Sequence, residues 1–172
     1  MNEVLNAIQT RRSVRKFKPD PVPQALLDQV MEAGTWAASG RGRQPVIILA
    51  VTGKETRDML SRWNAGILGS TADPFFGAPA VLVVLAQKDI STRVYDGSLV
   101  MGNMMLAAHS LGLGTCWIHR AKEEFETSEG KALLQKLGIE GEYEGIGHCI
   151  IGWPEGEPPA PKARKENWVY RI

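Results

Sequence analysis

The sequence predicts an α+β fold, a central sheet flanked by helices in a sandwich. Three observations carry this. Two helical patterns precede any strand. Short apolar runs of strand length then recur with helical patterns between them. The longest helical pattern, residues 92–111, lies centrally and is apolar nearly all round. A regular strand-helix-strand series would instead predict a doubly wound parallel sheet.

Residues 2–10 read as a first helix, because Val4, Leu5 and Ile8 share one face. Pro21 and Pro23 break the chain, and Pro23 suits the first turn of a second helix over 23–36. Its stripe is Leu26, Leu27, Val30, Met31, Ala33 and Gly34. The polar loop from Ala37 to Pro45 leads into Val46–Val51, a continuous apolar run that predicts a buried strand. Residues 54–63 predict an amphipathic helix, and the glycine-rich stretch 64–77 predicts no regular element. Pro79 opens a second buried strand, Ala80–Ala86. A helix as apolar as 92–111 belongs in the centre of a fold or against a partner subunit. Gly112 and Gly114 end it. Thr115–His119 predicts a third strand, 129–137 a helix, and Ile146–Trp153 a fourth strand. From Pro154 to Pro161 the prolines deny regular structure. Trp168-Val169-Tyr170 then predicts a last strand that pairs outside its own core.

A length of 172 residues suits one domain, so 1–172 reads as a single unit with a C-terminal arm at 154–172. Lysine plus arginine number 20 and aspartate plus glutamate 19, a net charge of +1. That balance argues against bulk nucleic acid or an anionic membrane as the main partner. The start lacks a basic segment followed by an apolar core, and the apolar runs are too short to cross a bilayer. Cys116 and Cys149 both lie in apolar runs, which predicts buried reduced thiols and a cytoplasmic setting.

Charge is concentrated in Arg11-Arg12-Ser13-Val14-Arg15-Lys16-Phe17, which holds four cations and a hydroxyl with no acid. In an extended chain Arg11, Ser13 and Arg15 share one side, and Arg12, Val14 and Lys16 the other. Guanidinium groups bind phosphate or carboxylate in two-pronged fashion, so an anion is the natural guest. By itself the stretch could equally be a solvated basic turn. Lys162-Ala163-Arg164-Lys165 offers a second basic comb, and the two could close on one phosphate. Gly40 and Gly42 would let main-chain N–H groups approach a ligand closely. No nucleophile elbow, dinucleotide fingerprint, phosphate loop or metal-ligand spacing occurs. Anion combs without a protein-borne nucleophile suggest an imported cofactor that carries the chemistry.

These blocks resemble the FMN-dependent nitroreductase family. The basic stretch resembles its opening signature, and Ala37-Ala38-Ser39-Gly40 before Gln44-Pro45 resembles the next block. Leu106-Ala107-Ala108 with Leu111–Ile118 resembles the helix-to-strand passage beneath the flavin. Gly152-Trp153-Pro154, with Lys162 and Arg164 beyond, resembles the phosphate-binding tail. Four blocks in the same order cover nearly the whole chain. The resemblance implies an intertwined homodimer with FMN at the subunit interface. It implies that Arg11, Ser13 and Arg15 contact the phosphate, ribityl chain and pyrimidine edge, with Arg12 helping at the phosphate. Lys162 and Arg164 would close on the phosphate from the other end of the chain. Ser39, Gly40 and Arg41 would reach the flavin from the partner subunit, and Gln44 is counted with the cofactor-binding residues. Trp117, Ile118 and His119 would run along the ring, with main-chain N–H groups near its N5. Arg41 and Arg43 depart from the small polar residues of many relatives, and of the asparagine and lysine that many relatives carry before the second strand, 64–77 offers Asn64 but no lysine. The implied activity is an NAD(P)H-dependent oxidoreductase that reduces nitroaromatic, quinone or related acceptors by a ping-pong route, with Arg15 tuning the flavin. The residues alone also allow a non-catalytic sensor or carrier of flavin or another phosphorylated ligand, because the same combs would serve.

Overall fold

The computed structural model describes residues 2–172. Helices and strands follow in the order α1 (Glu3–Thr10), α2 (Gln24–Thr35), β1 (Val46–Val51), α3 (Lys54–Leu68), β2 (Ala80–Gln87), α4 (Arg93–Ser110), β3 (Gly114–Ile118), α5 (Ala121–Glu126), α6 (Ser128–Lys136) and β4 (Tyr143–Gly152). The strands form one antiparallel sheet in the order β1-β2-β4-β3. The fold is therefore α+β, as expected.

β2 shows why helices cover both faces of the sheet. It is buried from Ala80 to Ala86, and its side chains alternate between two cores. Leu82 and Val84 pack with Leu27 and Val30 of α2 and with Val100, Met101 and Met104 of α4. Val81, Val83 and Leu85 pack with Leu60 of α3, Phe125 of α5 and Leu134 of α6. The α5–α6 corner closes through Gly130, where a Cβ would lie 2.3 Å from the Glu124 carbonyl oxygen. Cys116 and Cys149 are free and buried, and burial, with Cys116 nearby, pushes the Cys149 thiol up to about 12.

Several elements differ from the sequence reading. β1 is an edge strand and only Val51 of it is buried, because β2 covers one side alone. α3 runs on to Leu68 and ends at Gly69, whose left-handed backbone (φ +70°) stops it. α5 was not expected, since its composition is mostly charged. β4 begins at Tyr143, and a register shift opposite Val84/Leu85 absorbs one residue. Residues 168–170 form no strand within the chain, and Trp168, Val169 and Tyr170 are exposed. Exposed too are Val4, Leu5 and Ile8 of α1 and Val94, Tyr95 and Leu99 of α4. Among the described residues, no helix is long and apolar enough to cross a membrane.

Candidate functional site

β3 is paired with β4 on one side, and its other side receives the basic stretch. Ser13 bridges Thr115 in parallel fashion, and the Val14 N–H donates to the Thr115 carbonyl at 2.9 Å. Phe17 then bridges Pro154, the Lys18 N–H donates to Trp153 O, and the Glu155 N–H donates to Lys16 O. Two glycines permit this close approach. A Cβ on Gly114 would lie 2.9 Å from Val14, and one on Gly152 would lie 2.9 Å from the Phe17 ring.

The expected single comb divides in two. Arg11 still caps α1, its N–H donating to Ala7 O, so the alternation of an extended chain starts only after it. Arg11 and Arg12 line a cavity of about 190 Å³ with His109 and Thr115. Ser13 and Arg15 line a neighbouring cavity of about 350 Å³ whose other wall is residues 154–159. Val14, Pro154 and Pro158 border both. Arg12 Nη1 donates to Gln9 O (2.7 Å) and Arg11 O (2.8 Å), which ties it to the end of α1.

Among the described residues, three buried side-chain polar atoms have no hydrogen-bond partner: Arg11 Nη1, Arg12 Nε and His148 Nδ1. Two of the three are guanidinium nitrogens of the basic stretch. A buried cationic donor without an acceptor is costly, and an anion supplies the acceptor. The donor set thus fits a phosphate. His109 reports the same field. It meets Thr10 Oγ1 at 2.8 Å, and burial, followed by the charges of Arg11 and Arg12, holds its pKa below the ordinary histidine value. A bound phosphate would offset those charges, so the His109 pKa should rise when the ligand binds. NMR titration of the ring protons checks this, and an unmoved midpoint would place the anion elsewhere.

The stretch 64–77 contributes through Asp73. This carboxylate accepts from Arg57 Nη2 (2.5 Å), Ser61 Oγ (2.6 Å), Phe75 N–H (2.9 Å) and Gly77 N–H (2.7 Å). Burial pushes its pKa up, but these hydrogen bonds outweigh burial and hold it below the usual value. The turn so formed presents Phe76, whose ring lies 6.0 Å from the Arg15 guanidinium.

Ser39, Gly40, Arg41 and Gln44 sit apart from the basic stretch. The Gly40 N–H donates to Asp96 Oδ1 (2.9 Å), and Thr92 Oγ1 donates to Asp96 Oδ2 (2.7 Å). The Gln44 N–H donates to Ser39 Oγ (3.0 Å). A Cβ on Gly40 would lie 2.6 Å from Thr92 Oγ1, so glycine is required there. Ser39 and Gln44 line one cavity beside β1, and Gly40, Arg41 and Arg43 line another beside Ser91 and Thr92. Neither contains a residue of the basic stretch.

On β3, Trp117 is half-buried over Gly147, where a Cβ would lie 2.4 Å from its Nε1. Ile118 is buried in the core shared with α3 and α5, and His119 is exposed. Trp117 and Ile118 thus commit their side chains to packing, and their main chain runs in register with Cys149 and His148 of β4. Lys162 and Arg164 are exposed on the arm and line neither cavity of the basic stretch. The sequence reading singled out Asn64 but missed that it joins the half-buried Arg120 and the buried Glu124 and His148 in one group behind β3. One signal for it existed: Ala121, Glu124 and Phe125 share a helix face, which places one glutamate with two core residues.

Residues 8–69 and 67–153 match the model of the Nitroreductase family. The crystal structure of a nitroreductase with bound FMN from Bacteroides fragilis superposes with a TM-score of 0.91 at 26% identity, covering 100% of both chains. A provisionally named NADH dehydrogenase/NAD(P)H nitroreductase of Methanothermobacter thermautotrophicus is 31% identical over 119 residues, 67% of this chain and 60% of that protein. An FMN reductase [NAD(P)H] of Bacillus subtilis is 28% identical over 138 residues, 67% of this chain and 53% of that protein. The chain thus spans less than two thirds of these two relatives.

Proposed function

Because the chain belongs to the nitroreductase family, we propose that it is an NAD(P)H-dependent FMN oxidoreductase working as a homodimer. Its acceptors on this reading are nitroaromatics, quinones or related compounds, reduced in a ping-pong cycle. The observation that carries the proposal is the pair of buried, unpartnered guanidinium nitrogens on Arg11 and Arg12 beside β3. Bound FMN would supply the hydride-accepting and electron-donating chemistry.

The chain's own work is binding, orientation and electrostatics. Arg11 and Arg12 would hold the phosphate. Ser13 and Arg15 would face the ribityl chain and the pyrimidine edge, where Arg15 favours the negative charge of a reduced ring. Trp117, Ile118 and His119 would offer main-chain groups along the ring. Two features support a dimer. The exposed apolar residues on α1, α4 and the arm need cover, and Ser39, Gly40, Arg41 and Gln44 lie away from the basic stretch of their own protomer. We assign this second cluster to the partner's flavin. Lys162 and Arg164 would approach the phosphate once the arm is docked. The whole chain then acts as one flavin-binding domain with an arm at 154–172.

The test is direct. The purified protein should be yellow with a flavin spectrum and should oxidise NADH or NADPH when a quinone or nitroaromatic is supplied. A protein that holds FMN but consumes neither nucleotide would be a flavin sensor or carrier. A colourless protein indifferent to added FMN would contradict both.

A further inference from the structure

Behind the end of β3 lies a buried chain of hydrogen bonds that the proposed chemistry does not use. Asn64 on α3 is fully buried and commits its whole amide to it. Nδ2 donates to the His119 carbonyl (2.8 Å) and to Glu124 Oε1 (2.6 Å), and Oδ1 accepts from Arg120 Nε (3.0 Å). Glu124 Oε2 in turn meets His148 Nε2 at 3.1 Å, and both residues are fully buried. All three bonds of Asn64 therefore converge on one short segment, His119 to Glu124. Within it Arg120 holds a left-handed backbone, φ +76°, which a non-glycine residue keeps only when its surroundings impose it.

We propose that Asn64, backed by Glu124 and His148, is a positioning residue for the flavin. It acts by fixing the His119–Arg120 peptide at the end of β3. The inference rests on the reading of β3 as the strand along the ring. A peptide group is planar and trans, so anchoring the His119 carbonyl toward α3 aims the Arg120 N–H the opposite way. A donor fixed in this manner suits the acceptor edge of a flat heterocycle. Packing alone does not require the arrangement. Leu60 and Phe125 already join α3 to α5 in the same core, and a buried polar group is weak evidence for stability. What Asn64 adds is direction at an exposed residue, His119, whose carbonyl accepts its bond.

The FMN-bound protein is compared with Asn64→Ala, Arg120→Ala and a control, Leu134→Ala, which thins the same core without touching the network. FMN affinity, the visible spectrum of bound flavin, its midpoint potential and Tm are read for each. Asn64→Ala should weaken FMN binding about tenfold and shift spectrum and potential, with Arg120→Ala moving them in the same direction. Leu134→Ala should lower Tm and leave the flavin readouts in place. Amide exchange at 119–121 in the FMN-free protein should quicken in the first two variants only. If Asn64→Ala does not fold, Arg120→Ala, at a half-buried position, decides by the same readouts. Flavin readouts unmoved in a folded variant, with Tm alone reduced, would overturn the inference while leaving the proposed function standing. Failure of the unmutated protein to take up FMN would overturn both.

Discussion

Replacing Arg11 with alanine is expected to weaken FMN binding by roughly 10- to 150-fold, the equivalent of about 1.5–3 kcal/mol for a hydrogen bond to a charged group. Arg11 Nη1 is buried and unpartnered, so a phosphate that meets it gains a bond without displacing another within the protein. Titration calorimetry of the FMN-free protein measures the loss. Arg12→Ala is a less clean test, because Arg12 also holds Gln9 O and Arg11 O at the end of α1. Its effect should combine weaker binding with a looser α1, whereas Arg11→Ala should leave Tm of the FMN-free protein nearly unchanged.

Glu124→Ala is expected to lower the free energy of unfolding by about 1–3 kcal/mol or more, the usual cost of leaving a buried polar group without its hydrogen-bond partner. The substitution leaves His148 with both ring nitrogens unpartnered, since Nδ1 already lacks a bond. It also takes one acceptor from Asn64. Denaturant unfolding of the FMN-free protein gives the number. A loss under about 1 kcal/mol would mean that the neighbours rearrange to satisfy His148 and Asn64.

The contrast between these two sites explains what could be read from the amino acids alone. The strands were legible because apolar runs such as Ala80–Ala86 are bounded by turn residues and buried on both faces. The basic stretch was legible because four cations without an acid stand out from a near-neutral chain. Glu124 was not, since it sits among Glu123 and Glu126 and looks like one more solvated charge. Its partners, Asn64 and His148, are 60 and 24 residues away, a separation no local pattern reports. The division of the comb between two cavities was hidden for a related reason. It depends on Arg11 belonging to the end of α1 and not to the extended run. The role of 64–77 was equally hidden, because Asp73 organises it through Arg57 and Ser61 on α3.

The central claim is that arginines beside β3 grip the phosphate of the cofactor. FMN and riboflavin differ only in that phosphate, so one calorimetric comparison isolates it. The FMN-free protein should bind FMN at least about tenfold more tightly than riboflavin, and Arg11→Ala should remove most of the difference. Equal affinity for the two flavins, or a difference that survives the loss of Arg11, would contradict the claim.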